Sequence, residues 1–437
     1  MRRHAECSKR ADVIDPDRPC ANHYSVSLSA ATAPTTDGTP EMYKTLWSYI
    51  ALLVLAMAGS GCIYGIESAN PNSLTFLANS PAPYTPPGVT APTGTSNCTS
   101  KCIAMEYEMW FGNNLGKTDW TSGLWNLRWG TPLLGTYNST DLDIIDKHAE
   151  WFNDLGIDFL INDWSNSSAN TAGGDPNVDI DLRASTDALF AEYEKLSQEG
   201  KPHPRIAILV GLMDEGDVTQ AKVLSSGAHQ NEADYIYQQY VQKYPDIYYF
   251  LDGKPLLTVF TLYSGDPGWR DSRFTVRIMS ADIESQPFLL SAAQNGSNTT
   301  WSWIDRDPQP SYNNGAVEAM TVTQAYPGCT GWTTSGCPFL TTTGVPMMRG
   351  RDGTQALTPS ASITTTFSTQ WNKAISYDPR IIILTQWNEF IANGNPPSSS
   401  DEYTTNLSND IEPTAELGYG PMAAVQQAIA KWRKAGR

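Results

Sequence analysis

The 437-residue sequence has little positive charge and little histidine. It contains 29 Lys and Arg against 46 Asp and Glu, a formal net charge of −17, and only 5 His. No run of Lys or Arg interrupts its globular part. Nucleic acids and anionic membrane surfaces attract proteins of the opposite charge balance. The composition therefore argues against both as partners.

Sequence signals for several common kinds of site are also missing. No Gly-rich phosphate loop follows a predicted strand, which weakens a nucleotide-binding interpretation. No Ser-His-Asp order is evident; His148 falls in a predicted helix and His203 in a loop, so neither is placed as a general base. No cluster of ligand residues supports a metal site. We therefore expect neither a metal nor a cofactor.

The first 97 residues carry the features of an export signal and a linker. Residues 1–41 lack periodicity and are predicted to be a disordered extension. Residues 42–62 combine Lys44, the apolar stretch Leu46–Ala58 and small residues before Cys62. This order resembles a bacterial lipoprotein signal in which Cys62 is lipidated; ordinary secretion and an uncleaved anchor are the alternatives. Residues 63–97 are rich in Pro, Ser and Thr, as linkers are. We expect an exported protein, a cell-surface lipoprotein or a secreted one, that meets a membrane only through its N-terminal anchor.

Four cysteines lie beyond the linker, an even number in a chain expected to be exported. Local disulfides Cys98–Cys102 and Cys329–Cys337 are the simplest of three possible connectivities. Zinc binding is the alternative, but the two pairs lack the usual spacing of a zinc site.

Strand-like and helix-like stretches alternate along residues 98–437. The predicted strands are Cys102–Trp110, Ile157–Trp164, Arg205–Leu212, Lys254–Phe260, Phe274–Ile283, Trp301–Ile304, Ala316–Ala325 and one beginning at Ile381. The predicted helices are Asp141–Leu155, Leu182–Glu199, Glu232–Lys243, Thr365–Ser376 and Met422–Ala435. Eight strands alternating with helices predict an α/β protein with a (β/α)8 TIM barrel over 98–437. An open doubly wound sheet is the alternative.

Carboxylates, amides and rings concentrate where the predicted strands end. The stretch Ile381–Phe390 runs from four aliphatic residues into Trp387, Asn388 and Glu389. The other strand ends carry Glu106, Tyr107, Glu108, Trp110, Asn162, Asp163, Trp164, Trp303, Asp305 and Tyr326. In a barrel these ends surround one mouth, where paired carboxyl groups can act as acid and base on a glycosidic bond. The 14 Trp and 20 Tyr suit sugar binding, although most of the Trp are expected in the core.

The C-terminal third resembles the endo-mannosidase-type glycoside hydrolases of family 99, their bacterial relatives acting on surface polysaccharides and, more distantly, the family 71 α-1,3-glucanases. The matching residues are Tyr326-Pro327-Gly328, Arg351-Asp352-Gly353, Trp371, Ile381–Leu384, Trp387-Asn388-Glu389-Phe390 and Ile411-Glu412-Pro413. The front half matches more loosely, at Tyr107, Trp110, Gly156–Phe159 and Trp164. The resemblance extends from about Ile103 to the C-terminus and implies a barrel that acts on α-linked glycans.

One departure from the family concerns its acid. The resemblance implies that Glu389 engages a sugar 2-hydroxyl and that a second Glu, three residues later, is the general acid/base. Ala392 occupies that second position. Other acids that could serve are Asp163, Glu412, and Asp401 or Glu402 from the insertion 395–410. Glu412 could instead only position the last loop.

The leading hypothesis is an exported, monomeric glycosidase that cleaves an α-linked polysaccharide or glycan, mannan- or glucan-like, with Glu389 and Asp163 as catalytic carboxylates. The predicted substrate-binding residues are Tyr107, Trp110, Asn162, Trp164, Tyr326, Trp387, Asn388 and Glu412. The alternative is a non-catalytic surface carbohydrate-binding barrel lipoprotein, which the missing Glu favours. A lyase or transglycosidase acting on carbohydrate is a third hypothesis.

Overall fold

The computed structural model describes residues 98–111, 130–165, 176–211, 228–261, 266, 268–280, 282–284, 286–326, 349–354, 358, 360–390 and 405–435, with backbone alone at 176–181 and 228–231. The predictions for the extension, signal, Cys62 and linker lie outside the described residues. So do those for the Cys329–Cys337 disulfide, Ala392, Asp401 and Glu402.

Over the described residues, the sheet contains eight strands that pair in parallel. Their bounds are β1 Cys102–Tyr107, β2 Phe159–Trp164, β3 Arg205–Gly211, β5 Lys254–Thr261, β6 Thr275–Ser280, β7 Trp301–Ser302, β9 Ala316–Thr323 and β10 Ile381–Thr385. They pair in the order β7-β6-β5-β3-β2-β1-β10-β9. Side chains bridge the remaining seam between β7 and β9: Thr321 donates to the Ser302 carbonyl, and the Trp301 indole donates to Glu318 at 3.0 Å. The sheet is therefore a nearly closed barrel, as predicted.

Helices cover the outside of the barrel. They are α1 Leu142–Leu155, α2 Pro176–Gln198, α3 Ala228–Ile236, α4 Pro287–Asn295, α5 Thr365–Ser376 and α6 Gly420–Ala435. Asp141 is the N-cap residue of α1, and Gly156 ends that helix in the left-handed conformation, which glycine adopts without a Cβ penalty. Along the described residues, no helix is long and apolar enough to cross a membrane.

Alternating strand residues separate the barrel interior from the helix layer. Inside the barrel lie Cys102 and Ala104 of β1, Phe159 and Ile161 of β2, and Ile381 and Ile383 of β10. Ile103, Leu160 and Ile382 belong to the outer core with the helices. Because side chains alternate with a period of two, Glu106 and Asp163 continue the inward set, whereas Tyr107 and Asn162 continue the outward set. This alternation decides which residues reach the mouth.

Several predicted elements differ from the observed ones at their ends. The first strand stops at Tyr107 rather than Trp110, and the last stops at Thr385, so Gln386–Phe390 is a loop. The third predicted helix ends early and continues as a π-helix, Tyr237–Val241. Between β7 and β9 the chain forms strand β8, Ser311–Asn313, which pairs antiparallel with β9; the two-residue strand β4, Phe250–Leu251, pairs in the same way with β5. The predicted Cys98–Cys102 disulfide is present.

Candidate active site

Four carboxyl groups converge at the carboxyl ends of β1, β2 and β10. Glu106 closes the inward set of β1, Glu108 follows that strand, Asp163 lies near the end of β2, and Glu389 lies in the loop after β10. Glu106 is 1% exposed, Asp163 4% and Glu389 7%. Burial disfavours ionisation, and neighbouring negative charges disfavour it further. We therefore expect some of these carboxyl groups to be protonated and others ionised.

Asp163 is the carboxyl group best prepared to be ionised. The Ser165 backbone N–H donates to its Oδ1 and the Ser165 hydroxyl donates to its Oδ2, the latter at 2.9 Å. Burial raises the pKa of Asp163 to about 6, while the bonds from Ser165 and a hydrogen bond with Glu108 act in the opposite direction. Asp163 is therefore a carboxylate at neutral pH.

Glu389 is the carboxyl group that keeps its proton at neutral pH. Burial raises its pKa to about 8, the charges of Asp163 and Asp410 add to the effect, and the Gln386 amide that donates to its Oε2 lowers it. Asp163 and Glu389 are thus electrostatically coupled but titrate at different pH. A pair of acids separated in this way can divide the roles of acid and base.

Glu106 interacts electrostatically with both of these groups. Burial and the charges of Asp163 and Glu389 raise the pKa of Glu106 well above its usual range, and a hydrogen bond from the Trp303 indole to Oε1 opposes them. Burial therefore favours the protonated, neutral form of Glu106.

Four residues predicted to bind sugar point away from this site. Asn162 and the Trp164 indole both donate to the Thr186 hydroxyl on α2, at 2.8 and 2.9 Å. Tyr107 contacts α1 through a 2.9 Å bond to His148, and the Trp387 ring packs against Phe152 of α1. The side chains of Tyr107, Asn162 and Trp164 lie among the helices because the strand alternation sends them outward. Trp387 lies in the loop after β10, where the alternation of the strand no longer applies. They are not part of the site described here.

Asn388 and Glu412 belong to a buried network behind the site. Asn388 exchanges hydrogen bonds with the Glu108 backbone and donates to the Tyr137 hydroxyl at 2.8 Å. Tyr137 donates to Glu412 at 2.7 Å, and Glu412 faces His148 at 3.4 Å. Asn388 and Glu412, both predicted to bind substrate, therefore hold the loop after β10 onto β1 and α1. For Glu412 this matches the alternative prediction that it only positions the last loop.

Tyr326 belongs to a second buried acid cluster. Its hydroxyl donates to Asp282, which forms a hydrogen bond with Asp305. Asp305 also accepts from the backbone N–H groups of Ile283 and Glu284 at 2.9 and 3.2 Å. The side chains of Tyr326, Asp282 and Asp305 are all fully buried, and together they join the ends of β6, β7 and β9.

Trp110, also predicted to bind sugar, is buried edge-on against Phe111.

One group of carboxylates has the spacing that could hold a metal ion. Oxygens of Glu106, Glu108 and Asp163 lie within 4.8 Å of one another. Closely spaced carboxylate oxygens can bind a hard cation, and they can also share a proton. In this structure Glu108 and Asp163 are joined by a hydrogen bond.

The fold is similar to that of a GH99 endo-alpha-mannosidase from Bacteroides thetaiotaomicron. One structure of that enzyme, in complex with bis-tris-propane, matches at 15% identity and a TM-score of 0.47, covering 77% of this chain and 99% of that one. A second structure of it matches at 16% identity with the same TM-score and coverage. A glycoside hydrolase-like protein matches at 14% identity and a TM-score of 0.40, over 78% of this chain and 97% of the other. No family model and no curated protein matches the sequence.

Sequence reasoning assigned no role to Glu106, Glu108, Trp303 or Asp410. The first three stand at predicted strand ends, and the alternation pattern could have selected Glu106, because it continues Cys102 and Ala104 in steps of two. Asp410 reaches Glu389 from a distant part of the chain, and no local pattern signals that contact.

Proposed function

We propose that this protein is a glycoside hydrolase that cleaves an α-linked polysaccharide or glycan, with Asp163 and Glu389 as its catalytic carboxyl groups. The observation that carries the proposal is the split between the two acids, whose pKa values are about 6 and about 8. Glycosidases need one protonated acid and one ionised carboxylate on either side of the scissile bond. Two coupled carboxyl groups at a barrel mouth meet that requirement near neutral pH.

In this proposal Glu389 is the general acid. It gives its proton to the glycosidic oxygen while the bond from that oxygen to C1 breaks and the electron pair stays on the oxygen. A water oxygen bonds to C1 and releases one proton to Asp163, which acts as the base. The products are two sugars, and the proton on Asp163 later returns to Glu389 through solvent.

This assignment accounts for Ala392. The family resemblance gives Glu389 a role at the 2-hydroxyl and gives the acid role to the missing second Glu. Because burial keeps Glu389 protonated, it can itself supply the proton. We therefore propose that one glutamate takes over the proton donation in this chain.

The substrate class rests on the motifs of the C-terminal third, which point to mannan- or glucan-like α-linked glycans. The signal-like segment supports a place outside the cytoplasm, with the chain anchored through Cys62 at the cell surface or secreted. We propose that the barrel acts there as a monomer.

The experiment is a cleavage assay on panels of α-mannans and α-glucans. Glu389→Gln and Asp163→Asn preserve side-chain size and remove a titrating group, so each is expected to lower kcat by about 10²- to 10⁴-fold. Glu150→Gln, on the exposed face of α1, is the matched control and is expected to cleave as the wild type does. Undiminished cleavage by Glu389→Gln would refute the assignment.

A non-catalytic sugar-binding barrel is the second candidate, and Ala392 is the observation that favours it. Binding of one of these glycans by the wild type, with no cleavage over days at pH 7, would establish it.

A further inference from the structure

Trp303 is held at the barrel mouth by two backbone hydrogen bonds, one indole hydrogen bond and one ring contact. Its backbone N–H donates to the Ser280 carbonyl at 2.7 Å, and its carbonyl accepts from the Thr385 hydroxyl. Its indole N–H donates to Glu106, and its ring meets Phe260 edge-on, with centroids 5.8 Å apart. Even so, part of the side chain stays exposed. A rigid, partly exposed ring beside the carboxyl groups can receive a ligand at little entropic cost.

Glu106 has a second oxygen that the described protein leaves without a hydrogen bond. Oε1 accepts from Trp303, whereas Oε2 is buried and has no partner among the described residues. Buried polar atoms of this kind are rare unless a ligand or an ordered water completes them. In its neutral form Glu106 offers an O–H donor at this position.

We propose that Trp303 and Glu106 form a sugar-binding position beside Asp163 and Glu389, where a neutral pyranose ring stacks on the indole and a sugar hydroxyl accepts a hydrogen bond from Glu106. The proposal rests on the proposed function for its ligand class, a neutral α-glycan. A uronic acid would bring a carboxylate next to Glu106, Asp163 and Glu389, so the position selects against anionic sugars.

Binding is measured by titration calorimetry at pH 7 in the Glu389→Gln background, where cleavage does not interfere. The probes are an α-linked mannotetraose, an α-1,3-linked glucotetraose and, as the anionic comparison, an α-1,4-linked tetragalacturonate. At least one neutral tetrasaccharide is expected to bind, and the tetragalacturonate at least about tenfold more weakly. If none of the three binds, or the anionic one binds best, the proposal is overturned.

Variants then separate the ring from the carboxyl group. Trp303→Ala and Glu106→Ala are each expected to weaken binding by at least about tenfold. Glu106→Gln is expected to restore the Kd to within about threefold of the background, because its amide N–H still donates. Trp303→Phe keeps a ring but not the bond to Glu106, so it should fall between background and Trp303→Ala; it also decides the question where the alanine variant does not fold. Trp371→Phe, in the outer layer against Trp432, is the matched control and should bind as the background does.

Two results would contradict this position. Background affinity in a folded Trp303→Ala variant would show that the indole is structural only. A Glu106→Gln variant as weak as Glu106→Ala would show that no donor is needed there. Both results concern affinity and are distinct from the result of the cleavage assay. Undiminished cleavage by Glu389→Gln would refute the proposed acid, and the same binding series would then be measured in the Asp163→Asn background.

Discussion

At the residue scale, Ser165 controls how readily Asp163 gives up its proton. Its backbone N–H and its hydroxyl donate to different oxygens of the same carboxylate. Hydrogen bonds to a charged form stabilise that form, and here they oppose the burial that raises the pKa of Asp163. The ionised member of the pair therefore depends on one serine two residues further along the chain.

Ser165→Ala tests this dependence. The variant loses the hydroxyl donor and keeps the backbone donor, so the pKa of Asp163 is expected to rise further above its usual value. The acidic limb of the kcat/KM profile should move to higher pH by roughly 0.5–1 unit. An acidic limb that stays in place in the alanine variant would show that Ser165 does not set the charge of the base.

Asp305 provides a second residue-scale prediction, on stability. Burial and the neighbouring Asp282 raise the pKa of Asp305 well above its usual range. The folded protein therefore holds a proton that the unfolded chain releases near its ordinary pKa. The stability contributed by this group is full below the unfolded pKa and is lost as the pH rises toward the folded one.

Asp305→Asn keeps a donor toward Asp282 and removes the titrating group. The melting temperature of the variant is expected to decline less between pH 5 and pH 9 than that of the wild type, and to exceed it at the alkaline end. Thermal unfolding across this range checks the prediction. Asp378→Asn makes the same chemical change at an exposed position and should follow the wild-type curve. If the melting temperature of Asp305→Asn declined with pH as steeply as that of the wild type, the account would be contradicted.

At the scale of elements, side-chain alternation explains both what the sequence predicts and what it does not. The aliphatic residues of β1, β2 and β10 were sufficient to predict buried parallel strands, and Asp163 and Glu389 could be selected as polar residues at their ends. Trp164 was predicted at the mouth although the alternation along β2 sends it outward. Trp387 lies in the loop after β10, so the alternation of that strand does not predict its direction. Contacts such as Asp410 with Glu389 require the folded chain and could not be predicted.

Trp164→Phe tests the placement of that ring in the helix layer. The variant loses the indole bond to Thr186 and part of the packing against Tyr240. The free energy of unfolding is expected to fall by about 1–3 kcal/mol, with KM unchanged, because the ring does not meet substrate. Denaturant unfolding and steady-state kinetics measure the two quantities. If Trp164→Phe had a raised KM and the stability of the wild type, Trp164 would instead be a substrate-binding residue.

At the scale of the whole molecule, the described barrel elements and the Cys98–Cys102 disulfide all lie within 98–435. Sequence composition separated this region from the preceding 97 residues, because a linker rich in Pro, Ser and Thr lacks the apolar periodicity of a core. The sequence also predicted eight strands and their order along the chain. It did not predict the β8–β9 hairpin, where an antiparallel strand replaces a helix.

A chain comprising residues 98–437 is expected to fold and act without the preceding segment. Its melting temperature should lie within about 3 °C of the full chain's, since a difference of 1 kcal/mol corresponds to a few degrees at this size. Calorimetry of both chains, together with the cleavage assay, provides the comparison. A melting temperature of the shorter chain far below that of the full chain would show that residues before 98 contribute to the core.

The central claim is that Asp163 and Glu389 act as base and acid, and the pH dependence of kcat/KM on a cleaved α-glycan tests it most directly. Asp163 must be ionised and Glu389 protonated, so activity should rise through about pH 6 and fall through about pH 8. Glu389→Gln should lose the alkaline limb together with most of the activity. An alkaline limb that persists in Glu389→Gln, with wild-type rates of cleavage, would contradict the account.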